Sequence, residues 1–265
     1  MNQDQLRDLL LELCGPHRDF RVVFSGKTSR KVDGLYKSES REIILHNRNA
    51  ETDERLIYTA IHELAHHIQF SEPPVPLTTR THNTRFWSIF HSLLNRAEAL
   101  GLYSSSFDRQ QEFIDLTRRI RHSFLAENGR LMKELGRLLQ EARALCDKYH
   151  ASYEDYLDRV LRLPRSGARA IEMSHVLNLD PRIGFENMRT VSRIPEEEKR
   201  GRAQTALLEG SSPEMVKMRF LAPETPADPL EAMHRERTRL QKMVLSLEKR
   251  IRELDRRISE HGERT

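Results

Sequence analysis

The sequence predicts an α+β fold, with a short antiparallel sheet and its covering helices in the first hundred residues and an all-α region after them. Three observations predict it. β-Branched runs cluster between residues 20 and 46 and nowhere else. From Phe107 onwards the apolar residues recur at helical spacing almost without interruption. Apolar residues are 37% of the chain and charged residues 32%, a balance that suits long solvated helices better than one deep core. On composition and breaks the chain divides at 1–103, 104–150, 151–222 and 223–265.

Leu6, Leu9, Leu10 and Leu13 share one face of a helix over residues 3–13, which Gly15-Pro16 stops. FRVVF (20–24), KVDGLY (31–36) and REIILH (41–46) are the strands, with breaks at Gly34 and Ser38. Thr52 or Asp53 caps a strong helix through about Phe70. SEPPVPLTTRT (71–81) has three prolines and is a loop, and a second helix over about 83–99 ends at Gly101. Residues 107–127 and 131–149 read as a helical hairpin turning at Asn128-Gly129. Shorter helices follow, broken at Pro164, Asp180-Pro181, Pro195 and Ser211–Pro213. APETPADP (222–229) reads as a hinge before the last helix.

The formal charge of +4 comes from basic residues interleaved with acids, so charge alone does not indicate nucleic acid. Cys14 and Cys146 have no CxxC spacing and read as reduced thiols. The acidic N-terminus lacks a signal peptide's basic and apolar regions, and no apolar run approaches a membrane span's length. The expectation is a soluble, cytoplasmic protein with no membrane association.

IHELAHH (61–67) is the sharpest chemical signal. On a helix His62 and His66 project from one face and can reach one metal ion, and neutral imidazole suits Zn²⁺. Glu63 stands where a general base for a metal-activated water is needed. The apolar flanks Leu56, Ile57, Ala60, Ile61, Leu64, Ala65 and Ile68 fit a buried helix. A third ligand is required. His82, in THNTRFW (81–87), follows the proline-rich loop, with Phe86 and Trp87 to anchor it; His91, mid-helix beside core positions, is its rival. His67 points away from the pair and reads as structural, and His46 as an outer neighbour at most.

IHELAHH followed by a histidine in an H-x-x-x-F-W setting resembles the SprT-like and YgjP-like zinc metallopeptidases over roughly residues 20–100. This chain carries Asn83 where Ser or Gly is commoner. The resemblance implies a minimal gluzincin-like fold, His62, His66 and His82 as zinc ligands, and Glu63 as catalyst of peptide-bond hydrolysis in a protein or peptide substrate. It also implies that REIILH borders the substrate cleft.

Residues 131–177 resemble helical DNA-binding segments of phage and plasmid proteins. YEDYLDRVL is then the first helix of a helix-turn-helix, RLPRS the turn and SGARAIEMSHVL the recognition helix. Arg165 and Arg169 would meet DNA. In the last helix Arg237, Val244, Ile251 and Ile258 fall seven apart, as do Met233, Leu240, Leu247 and Leu254. This a/d heptad favours a parallel two-stranded coil and a homodimer through residues 233–258. The leading expectation is a zinc metalloendopeptidase directed to DNA-associated protein. The alternatives are a DNA-binding regulator, or a helical scaffold, in which the metal site is structural or inactive.

Overall fold

The computed structural model describes residues 1–72, 81–222 and 229–262, so most of the proline-rich loop and of the 222–229 hinge lies outside the described residues. Helix α1 (Gln3–Leu13) buries Leu6, Leu9, Leu10 and Leu13, as its periodicity requires, and Asn2 and Gln5 cap it reciprocally. Strands β1 (Arg21–Phe24), β2 (Gly34–Lys37) and β3 (Glu42–Leu45) form one sheet in the order β1-β3-β2. β1 runs parallel to β3, with Val22 beside Ile43, and β2 runs antiparallel, with Tyr36 beside Ile43.

The sheet is therefore mixed, where the sequence suggested antiparallel pairing throughout. The segment between β1 and β2 is too long for a tight hairpin, and it crosses to the far side of β3. Asn49 pins that crossing: its amide donates to Ser29 O at 2.7 Å and Asp33 Oδ1 at 2.8 Å, and its Oδ1 accepts from Ser29 N at 3.0 Å.

Helix α2 (Asp53–Ser71) starts at Thr52, whose hydroxyl accepts from Arg55 N at 3.2 Å, and Asp53 and Glu54 complement its dipole. Helix α3 (Thr84–Ala99) starts at Asn83, whose Oδ1 accepts from Phe86 N at 3.0 Å. The core they share with α1 and the sheet includes Leu10, Ile43, Leu45, Ile61, Leu64, Phe86 and Phe90.

Helix α4 (Gln111–Ile120), a π-helical turn (Arg121–Leu125) and helix α5 (Ala126–Lys148) continue one another in helical conformation. The hairpin expected at Asn128-Gly129 does not occur. Gly129 serves a close approach instead of a turn: a Cβ there would lie 2.5 Å from Pro181 O. Gly136 does the same against α7 (Arg165–Val176), where a Cβ would lie 2.5 Å from Ile171 O. Before α7 come the short α6 (Tyr153–Asp155) and a π-helical turn (Tyr156–Leu161). Buried Glu172 joins α5, α6 and α7, accepting from Arg143 at 3.1 Å and from Tyr153 Oη at 2.9 Å.

Helices α8 (Phe185–Val191), α9 (Glu197–Leu208) and α10 (Pro213–Phe220) enclose a second helical core around Leu179, Met188, Val191 and Ile194. They follow the breaks read at Asp180-Pro181, Pro195 and Ser211–Pro213. Helix α10 packs on α3, where His91 Nδ1 pairs with Ser212 Oγ at 2.8 Å. Helix α11 (Pro229–Gly262) keeps its heptad residues out of all these cores. No helix among the described residues is long and apolar enough to cross a membrane.

The glycine contacts give a paired test. Gly136→Ala should destabilise the protein by about 1–3 kcal/mol, because a backbone carbonyl cannot yield as a side chain can. Gly201→Ala, mid-helix in α9 with nothing within 4 Å of the added carbon, should stabilise by about 0.5–1 kcal/mol. Urea unfolding with linear extrapolation measures both; equal effects would disprove the close-approach role.

Candidate metal centre

HELAH sits in the second half of α2, where the 3.6-residue repeat sets His62 and His66 side by side with ring centroids 5.1 Å apart. His82 reaches them from the residue before the α3 cap. Its Nε2 lies 3.1 Å from His62 Nε2 and 3.0 Å from His66 Nε2. One proton on His82 Nε2 cannot satisfy both contacts, and three nitrogens turned on one point suit a cation. Tetrahedral ligation with Zn–N of ~2.05 Å separates nitrogens by ~3.4 Å, within a few tenths of these distances. The three histidines lie close enough to bind one metal ion.

Phe86 explains why an aromatic follows His82 at the fourth position. It is fully buried, and its ring centroid lies 4.8 Å from His62, 4.4 Å from His66 and 4.5 Å from His82, so it floors all three imidazoles. Trp87 flanks His82 at 5.7 Å. Burial then favours the neutral form of the two helix histidines. It lowers His62 to about 4, with the His82 ring adding, and lowers His66 to about 3, with His62 and His82 adding. Neutral imidazoles are the ligand form.

Glu63, 6% exposed, faces the sheet. Burial raises its carboxyl to about 7, opposed by the backbone N–H of Tyr36, which bonds it. Among the described residues no cation pairs with it. Gly34 allows β2 to come this close, since a Cβ there would lie 3.1 Å from Glu63 Cγ and 3.0 Å from Thr59 Cγ2.

The strand beside Glu63 is thus β2, at the sheet edge. REIILH, expected to border the cleft, forms β3 and is central, with a partner on each side. Tyr36 also ties β2 to α2 through its hydroxyl, 3.0 Å from His67 Nδ1. Sequence reasoning missed Tyr36 and Gly34, although a glycine interrupting the strand run KVDGLY was the available signal.

The remaining candidates separate cleanly. His67 is fully buried among Tyr36, Phe20, His17 and Asp19, a structural position as expected. His46 meets Ser25 Oγ at 2.9 Å at the end of the sheet. His91 faces α10 instead of the ligands. In the segment read as a helix-turn-helix, Arg162 turns the chain in the left-handed region, with φ +54. Arg165 and Arg169 are exposed on α7, but the Arg165 guanidinium is held by Asp158 at 3.0 Å, with Glu154 and Asp155 near it.

These placements predict different fates for two histidines. His82→Ala should weaken zinc binding at least tenfold, whereas His91→Ala should keep the parent stoichiometry and lower the urea midpoint by loosening α10. Metal analysis after dialysis, beside an unfolding curve, checks both. Zinc lost from His91→Ala and kept by His82→Ala would reverse the ligand assignment.

The chain matches no family model, no curated protein and no solved structure. The likeness to SprT-like and YgjP-like peptidases therefore rests on the sequence of residues 61–67 and 81–87 alone.

Proposed function

We propose that the protein is a zinc-dependent metalloendopeptidase with a minimal gluzincin-like N-terminal domain, in which His62, His66 and His82 hold the ion and Glu63 is the general base. The observation that carries this reading is the meeting of three imidazoles, the first of them adjacent in sequence to the buried Glu63 carboxyl, which among the described residues pairs with no cation. A zinc site of purely structural purpose has no need of that carboxyl, whose burial costs stability. This weighs against a regulator or scaffold with an inactive site.

An ion bound there supplies Lewis acidity towards a water and a substrate carbonyl. The chain's own contribution is positional and protolytic. Glu63, oriented by the Tyr36 N–H, takes a proton from the attacking water on a carboxylate oxygen and passes it to the leaving amine nitrogen. Burial opposes its ionisation, which favours the protonated form that the return step needs. An extended peptide can lie along the edge strand β2 by main-chain pairing, which brings a scissile bond past Glu63.

A second observation bears on assembly. In α11, Val244, Leu247, Ile251 and Leu254 are each 46% or more exposed, and in a parallel pair Arg250 of one copy meets Asp255 of the other across the g and e positions. We propose a homodimer through 233–258. A protein or peptide substrate is the partner proposed, from the metal centre alone.

Two experiments test these readings. Glu63→Gln should retain one zinc per chain and lose peptide hydrolysis by about 10²–10⁴-fold, as should chelator treatment of the parent until zinc is restored. Parent-level cleavage by Glu63→Gln, on an unfolded-protein substrate followed by mass spectrometry, would refute the mechanism. The double change Leu247→Asp with Ile251→Asp should convert a dimer into a monomer in sedimentation equilibrium. A monomeric parent at tens of micromolar would refute the coil.

A further inference from the structure

A neutral imidazole that offers Nε2 to a metal carries its proton on Nδ1, and a buried Nδ1–H needs an acceptor. His66 Nδ1 is buried, and among the described residues no acceptor meets it in good hydrogen-bond geometry. Gln69 Oε1 is in the same condition. Gln69 lies three residues further along α2, on the same helix face, and is fully buried.

The other end of the Gln69 amide is fixed. Its Nε2 lies 2.9 Å from Thr81 O and 3.1 Å from Asn83 Oδ1. Thr81 O can only accept, and Asn83 Oδ1 already accepts from Phe86 N. The nitrogen of Gln69 must therefore face the 81–83 segment, which leaves Oε1 as the free acceptor. Gln69 also acts as a hydrogen-bonding group on His66, opposing the effect of burial.

We propose that Gln69 is a positioning residue that holds two metal ligands at once: its Oε1 accepts the His66 Nδ1–H and fixes that ring's tautomer, while its Nε2 clamps Thr81 and Asn83 on either side of His82. The inference rests on the metal-site reading given above. It also accounts for the asparagine at 83, which caps α3 and receives Gln69 with the same oxygen. Groups that hold a ligand in this way affect metal affinity by about 10–100-fold, without touching the ion.

The test uses the full chain and the metal alone. Gln69→Leu removes both arms, and Gln69→Glu keeps an acceptor for His66 but sets a carboxylate against Thr81 O and Asn83 Oδ1. Zinc affinity is read by chelator competition, and site geometry by the visible spectrum of the cobalt(II)-loaded protein. Gln69→Leu should bind zinc about 10–100-fold more weakly than the parent, with weakened and shifted cobalt bands, and Gln69→Glu should fall between the two. Leu93→Ala, a core change on α3 away from the ligands, supplies a destabilised control that should keep the parent cobalt spectrum.

Parent-like affinity and spectrum in Gln69→Leu would overturn the proposal. Should that variant fail to fold, parent-like behaviour of Gln69→Glu overturns it equally, because one arm is then shown to do nothing. A parent that binds neither zinc nor cobalt would sink the metal reading first and this inference with it. Binding by the parent that both Gln69 variants leave unchanged sinks this inference alone.

Discussion

The antiparallel seating of α3 on α2 through Phe86 is the contact on which the rest of the N-terminal half depends. One ring packs beneath His62, His66 and His82 and fills the core beside Phe90 and Ile61. A helix can set two imidazoles on one face by periodicity alone. It cannot supply the third, so the chain must come back to the same point after leaving α2. Asn83 fixes where α3 begins, Phe86 fixes how deeply it sits, and His82 is thereby delivered to the other two. The sheet contributes from the opposite side, with Gly34 thin enough for β2 to press its backbone against Glu63.

The helical half is governed by backbone proximity more than by side-chain bulk. Gly129 and Gly136, one heptad apart on α5, face Pro181 and Ile171. The Arg143–Glu172–Tyr153 cluster, in which Glu172 and Tyr153 are buried and Arg143 is half exposed, then ties α5 to α6 and α7: the bond from Glu172 helps raise Arg143 above its usual range, and burial, helped by Glu172, pushes Tyr153 up to about 12. Removing Arg143 leaves the buried Glu172 carboxylate without its cation, which costs more than the ion pair contributes as a whole.

Periodic features were legible in the sequence and juxtapositions were not. The apolar repeat of α1, the Thr52 cap, the HELAH face and the return of His82 follow from spacing and local chemistry, and all appear in the fold. The crossing of the β1–β2 segment over β3 depends on the tertiary clamp at Asn49, which no local pattern encodes. Gly129 was misread because Asn-Gly is a turn signal in isolation, while a glycine facing another backbone looks identical in sequence. Gln69 lay on the buried face of a recognised helix, yet its role emerges only when residues 81–83 are seen beside it. Arg165 illustrates another juxtaposition that spacing did not announce: at the start of α7 it meets Asp158, seven residues earlier, in an exposed ion pair.

The pairing of His91 with Ser212 has a consequence for the order in which the protein is made. The two residues are 121 positions apart, and α10 lies on the outer face of the helix that His82 introduces. Every residue of the sheet, α2 and α3 has left the ribosome well before α10 exists. At ~5–20 residues per second the outer face of α3 waits roughly 6–24 s for its cover. During that interval α3 is held by its inner, Phe86-bearing face, with the nascent chain between α3 and α10 closing a long loop at a modest entropic cost. Completion of the N-terminal unit is thus timed by the translation of residues that carry none of its ligands.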